Sequence, residues 1–129
     1  MTLYDENVEL YDIAFDWDVS DEVDWLLERF GRDCSSVLEP GCGSGRMLEA
    51  FARRGIEIVG SDRSSAMVAF ARRRLAAAGL TAQVVVADMT DFDLGRTFGA
   101  AVCPINTLGH LDEDGLARHL VCVARQALA

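Results

Sequence analysis

From Cys34 onward, short apolar segments without polar alternation take turns with segments of helical period, and the segments end at turns rich in glycine or acid. This alternation constrains the chain more than any other feature. Strands that are apolar on both sides belong in a parallel sheet, and such a sheet must be covered by helices on both faces. Ser36-Val37-Leu38-Glu39 reads as the first strand and runs into Pro40-Gly41-Cys42-Gly43-Ser44-Gly45. Arg46 to Arg54 reads as a helix with Met47, Leu48, Phe51 and Ala52 inward, stopped by Gly55.

The cycle then repeats. Glu57-Ile58-Val59-Gly60 is a second strand ending at Ser61-Asp62, and Ser64 to Ala78 a helix. Its inward residues are Met67, Phe70, Ala71 and Leu75; Arg72, Arg73 and Arg74 are expected to face out, and Gly79 ends it. Ala82 to Ala87 is a third strand ending at Asp88, Asp91 to Phe98 a loop, and Gly99 to Pro104 a fourth strand. Asp112 to Leu128 is a last helix with Leu116, Leu120, Val123, Ala124 and Ala127 inward and His119 on an exposed face. Ahead of all this, Asp21 to Phe30 reads as an amphipathic helix capped by Ser20 and stopped by Gly31, with Val23, Leu26, Leu27 and Phe30 on one side. The order predicts a doubly wound α/β domain: a mostly parallel sheet of about four strands in three α/β/α layers. One domain of 129 residues is expected, with an acidic helical segment over 1–33 and a ligand-binding core over 34–129.

Charge and chemistry-bearing residues narrow the function. Segment 1–33 holds eleven acids against Arg29 and Arg32, whereas the remainder is neutral, so the whole net charge of −9 sits at the start of the chain. Such a surface repels phosphate backbones, which argues against nucleic-acid partners. All 12 basic residues are arginine, which excludes Schiff-base chemistry and a P-loop lysine. Cys34, Cys42, Cys103 and Cys122 form no C-x-x-C pair and do not cluster with His110 and His119, so no metal site is expected. No apolar run is long enough to span a membrane, and the acidic start has no secretory character; a cytoplasmic protein with free thiols is expected.

The glycine-rich turn distinguishes between ligands. In a doubly wound sheet the ligand lies at the carboxyl ends of the strands, where glycines let the backbone approach closely. A dinucleotide fingerprint needs glycine at position 46, where Arg46 stands. Glu39, two residues before the first glycine, would repel a pyrophosphate but accept from an ammonium group. An amino-acid-bearing nucleoside therefore fits better than NAD.

The segment VLEPGCGSGR resembles the first motif of the class I S-adenosylmethionine-dependent methyltransferases, which have a Rossmann-like fold. Further matches follow in order. VGSDRSSAMVAFAR resembles the family's second motif; the resemblance implies that Asp62 holds the ribose hydroxyls, that Met67 lies against the adenine, and that Arg63 stands beside them. Asp88-Met89 is similar to the end of the third strand, where the carboxylate accepts from the adenine amino group and the next N–H meets the ring. Cys103 to Leu111 resembles the fourth-strand segment that lines the sulfonium, which implicates Cys103 and Asn106, with His110 as the candidate general base. Leu10 to Phe15 resembles the Y-D segment of small-molecule members, where the tyrosine, here Tyr11, closes over the methionine end. Gly41, Cys42, Gly43 and Gly45 complete the implied cofactor contacts.

The resemblance implies methyl transfer from S-adenosylmethionine to a small-molecule acceptor, with S-adenosylhomocysteine as product. The alternative is a non-catalytic module of the same fold that associates through an exposed sheet edge. The family's sheet has seven strands and this sequence supplies four, so a truncated enzyme is expected. Its fourth strand would be an open edge that invites association, a second copy included.

Overall fold

The computed structural model describes residues 6–14, 18–103 and 111–127. In chain order the elements are α1 (Val8–Ala14), α2 (Ser20–Phe30), β1 (Ser36–Pro40), α3 (Arg46–Arg53), β2 (Glu57–Asp62), α4 (Ser65–Ala77), β3 (Gln83–Val86), β4 (Ala100–Ala101) and α5 (Glu113–Ala127). The sheet order is β3-β2-β1-β4 with every pairing parallel. The chain steps outward from β1 to β2 and β3, then returns across β1 to β4. The direction of winding therefore switches beside the carboxyl end of β1, where ligands lie in open α/β sheets. No helix among the described residues is long and apolar enough to cross a membrane.

Successive residues of each strand serve opposite faces. Val37, Ile58, Val84 and Val102 join a large cluster with Met47, Leu48 and Phe51 of α3, Val68, Ala71 and Leu75 of α4, and Val23 of α2. Their neighbours Leu38 and Val59 meet Phe98 on the other face, flanked by Phe92, Leu94 and Ala101. The α3 helix forms because Met47, Leu48 and Phe51 recur at helical spacing and all are buried. In α4 the Ser64 hydroxyl caps the first turn, accepting from the Met67 N–H at 3.2 Å.

Several expectations require correction. Helix α2 begins at Ser20, and its start is organised by Asp18, whose carboxylate accepts from Ser20 N–H at 2.9 Å and from the Ser20 hydroxyl at 2.6 Å. The strand expected over 99–104 is regular only at Ala100–Ala101, although Gly99 and Val102 N–H groups still donate to Ser36 and Leu38 carbonyls. Arg74 does not face out; it turns into a cluster around Asp12. The last helix is rotated from its expected phase. Leu120 is 55% exposed and Ala124 is exposed, while His119 and Gln126 are buried. Those polar side chains satisfy the backbone of the loop after β3. Leu94 N–H donates to Gln126 Oε1 at 2.9 Å, and Gln126 Nε2 donates to Phe92 O at 3.2 Å.

Candidate functional site

The turn between β1 and α3 stands at the winding switch. Gly41, Gly43 and Gly45 take φ values of +69°, +57° and +92°, backbone that side-chain-bearing residues rarely adopt. The latter two glycines do different work. A Cβ on Gly45 would sit 2.9 Å from the Ala71 Cβ, so this glycine lets α3 pack on α4. A Cβ on Gly43 would lie 3.7 Å from Tyr11 Cε1, so this glycine carries the Tyr11 ring directly over the turn.

Three carboxylates stand at or just past the carboxyl ends of three neighbouring strands. Glu39 is 3% exposed and its Oε1 has no hydrogen-bond partner among the described residues. Burial, reinforced by the Asp62 charge, pushes its carboxyl well above the usual range. A buried, partnerless carboxyl oxygen is costly unless something supplies a donor. The buried hydroxyl of Ser61, one residue before Asp62, is also without a partner there.

Asp62 ties the turn to β2: Oδ2 accepts from Gly43 N–H at 3.0 Å and Oδ1 from Ser64 N–H at 2.9 Å. Each oxygen has a second lone-pair position for a further donor. Asp88 is exposed; its Oδ1 accepts from Thr90 N–H at 2.9 Å and from the Thr90 hydroxyl at 2.7 Å, which holds its carboxyl below the usual range. The exposed Arg63 adds a smaller contribution to that lowering.

Of the other implied contacts, Met67 is fully buried within the fold. Cys42 is buried, and burial with the Glu39 and Asp62 charges pushes its thiol up. Cys103 is pushed up to about 12 by burial and the Glu39 charge. Both sulfurs are therefore thiols at neutral pH and poor nucleophiles. Asn106 and His110 lie outside the described residues.

Two participants escaped the sequence. The first is His119, whose Nδ1 lies 2.8 Å from the Met89 carbonyl and Nε2 3.4 Å from Cys103 Sγ. A carbonyl only accepts, so Nδ1 carries the hydrogen, and Nε2 faces the Cys103 sulfur. His119 thus joins the turn after β3 to the end of β4. The second is Asp12, which accepts from Ser44, Arg46 and Arg74. Nothing local gives either its role: a histidine beside Arg118 reads as surface, and the Y-D resemblance assigns a task to Tyr11 and none to Asp12.

A doubly wound parallel sheet with a glycine turn at the switch, and acids at or just past the ends of β1, β2 and β3, defines a Rossmann-like α/β domain. Comparison with known proteins identifies its family: residues 37–127 match the family model described as a methyltransferase domain, and the chain belongs to that family. It is 34% identical over 112 residues to the dTDP-3-amino-3,6-dideoxy-alpha-D-glucopyranose N,N-dimethyltransferase of Streptomyces fradiae, covering 82% of this chain and 42% of that protein. It resembles the crystal structure of Streptomyces venezuelae DesVI with a TM-score of 0.74 at 32% identity, covering 85% of this chain and 45% of that one. Against SAM-bound CalS10, an amino pentose methyltransferase from Micromonospora echinaspora, the TM-score is 0.81 at 27% identity, over 98% of this chain and 54% of that one. The chain spans about half the length of these relatives.

Proposed function

We propose that this chain forms the cofactor-binding part of an S-adenosylmethionine-dependent methyltransferase acting on a small-molecule amine, with an amino sugar as the first acceptor class to test. The observation that carries the cofactor assignment is the buried, unpartnered Oε1 of Glu39 beside the glycine turn. An ammonium group is a donor of the right charge for it. That group would let Glu39 ionise and would offset the cost of its burial. NAD offers no ammonium group, and the position where its fingerprint wants glycine is Arg46.

Each residue then has a task. Asp62 accepts from the ribose hydroxyls while holding the Gly43 and Ser64 amides. Asp88, pre-set by Thr90, offers its free oxygen to the adenine amino group, with Met89 N–H and Met67 against the ring. Gly41, Cys42 and Gly43 allow backbone approach, Tyr11 covers the methionine end, and Arg63 and Cys103 line the rim. When bound, S-adenosylmethionine supplies a methyl group on an already electrophilic sulfonium. The protein's part is to hold the acceptor in line and to exclude water. His110 is the residue proposed to take a proton from an acceptor that must lose one. The acceptor class follows the amino sugars for which the Streptomyces fradiae relative and CalS10 are named.

Calorimetric titration with S-adenosylhomocysteine, with NAD as control, tests the cofactor. Binding of the first alone is expected; binding of neither by a folded chain would favour a partner module. Asp62→Ala should weaken that binding by at least about a hundredfold, from loss of two hydrogen bonds to a charged acceptor worth about 1.5–3 kcal/mol each. Unchanged affinity would remove Asp62 from the ribose site. Transfer of a labelled methyl group to a nucleotide-linked amino sugar tests the acceptor.

A further inference from the structure

Among the described residues, charge holds the α1 helix more than apolar burial does. Among its described residues only Val8 is buried, while Leu10 and Ile13 are exposed. Its main anchor is Asp12. Oδ1 accepts from the Ser44 hydroxyl at 2.8 Å, from Arg46 at 3.1 Å and from Arg74 at 2.9 Å; Oδ2 accepts from Arg74 at 3.3 Å, and the Asp12 carbonyl accepts from Arg46. Arg74 also faces Glu49 at 3.6 Å. The side chains of Asp12, Arg46 and Arg74 are only 17%, 9% and 20% exposed, so the cluster is largely shielded from water. Ion pairs so placed fix geometry, because removing one member leaves the other charges buried without compensation.

The partners of Asp12 are informative. Ser44 belongs to the glycine turn, Arg46 starts α3 and Arg74 comes from α4. One carboxylate therefore joins α1 to all three elements around the turn. The residue before it is Tyr11, whose ring lies over Gly43. Neither Leu10 nor Ile13 could hold the ring there, since both face solvent.

We infer that Asp12 is a positioning residue that latches Tyr11 over the glycine turn, so that cofactor residence is set by an ion cluster outside the cofactor's own contacts. This rests on the cofactor reading given above. The first measurement is made without ligand. Amide hydrogen exchange across 8–14 should be at least about tenfold faster in Asp12→Asn than in the unaltered chain, while β1 and β2 are unchanged. Arg74→Gln should reproduce this, and serves as the second variant if the first fails to fold. Unchanged exchange over 8–14 overturns the latch and leaves the cofactor reading intact.

The second measurement is affinity for S-adenosylhomocysteine. Asp12→Asn and Tyr11→Ala should each weaken binding about tenfold, and the double variant should be no weaker than Tyr11→Ala alone. A merely structural Asp12 would add its own loss to that of Tyr11, so multiplied effects overturn the proposal. An unaltered chain that binds no S-adenosylhomocysteine breaks the cofactor reading, and the ligand-holding role of Asp12 with it.

Discussion

The two faces of the sheet are built on different principles. On one, α2, α3 and α4 present apolar residues at helical spacing, and Val37, Ile58 and Val84 pack beneath Leu48, Phe51 and Leu75. On the other, the buried apolar cluster is Leu38, Val59 and Phe98 among the described residues, and its cover is a loop as well as a helix. That loop keeps its place through polar contacts. Gln126 pairs with Phe92 and Leu94, His119 with Met89, and the Cys122 thiol donates to Thr90 O at 3.3 Å. The first face gains its order from the hydrophobic effect, which is indifferent to exact partners. The second depends on directional bonds whose loss leaves buried groups unmatched.

The largest test of this contrast compares two phenylalanines that are both fully buried. Phe51→Ala should cost about 4–5 kcal/mol in urea unfolding, and Phe98→Ala nearer ~3 kcal/mol, because a smaller cluster under a loop collapses more readily into a void. Equal losses would show that the second face is packed as rigidly as the first. Next comes Gln126→Leu, which keeps the bulk but removes the partners of Leu94 N–H and Phe92 O. A loss of about 1–3 kcal/mol is expected, with faster exchange over 92–98 and none over α3. A neutral result would reassign the loop's order to packing.

A third test uses pH. The folded-state carboxyl of Glu39 sits well above 4.5, so the free fold favours its protonated form. Its contribution is complete below the ordinary carboxylate value and is lost as pH rises through the raised one. Asp12 has the opposite sign. Burial raises its carboxyl, but Ser44, Arg46 and Arg74 outweigh that and hold it below 3.8, so its contribution is lost only as pH falls through the lowered value. Glu39→Gln should therefore remove the decline in the urea midpoint on the alkaline side of 4.5 and leave the acid limb unaltered. Persistence of that decline would assign it to another group. The smallest effect is expected from Leu120→Ser, at 55% exposure: within about 0.5 kcal/mol. A loss of core size would restore the helix phase that apolar spacing predicts.

The candidate site was legible where its signals are local. Glu39, the glycine turn and Asp62 stand out because an acid closing an apolar strand needs a reason, and that reason survives in the unpartnered Oε1. Asp12 and Arg74 are separated by 62 positions, and nothing in either neighbourhood announces the other. His119 and Gln126 were hidden because polarity reads as exposure. What buries them is the backbone of the loop after β3, whose amides and carbonyls their side chains satisfy.

The sequence by itself determined the alternation of strands and helices, the parallel sheet and the glycine turn at the winding switch. Each follows from side-chain period and from glycine's freedom at positive φ, properties of a few neighbouring residues. Only the tertiary structure decided which face of α5 turns inward, how short β4 is, and which acid among eleven holds α1 in place. Those outcomes depend on satisfying buried donors, acceptors and charges contributed by distant parts of the chain, and such partners meet only once the sheet has formed.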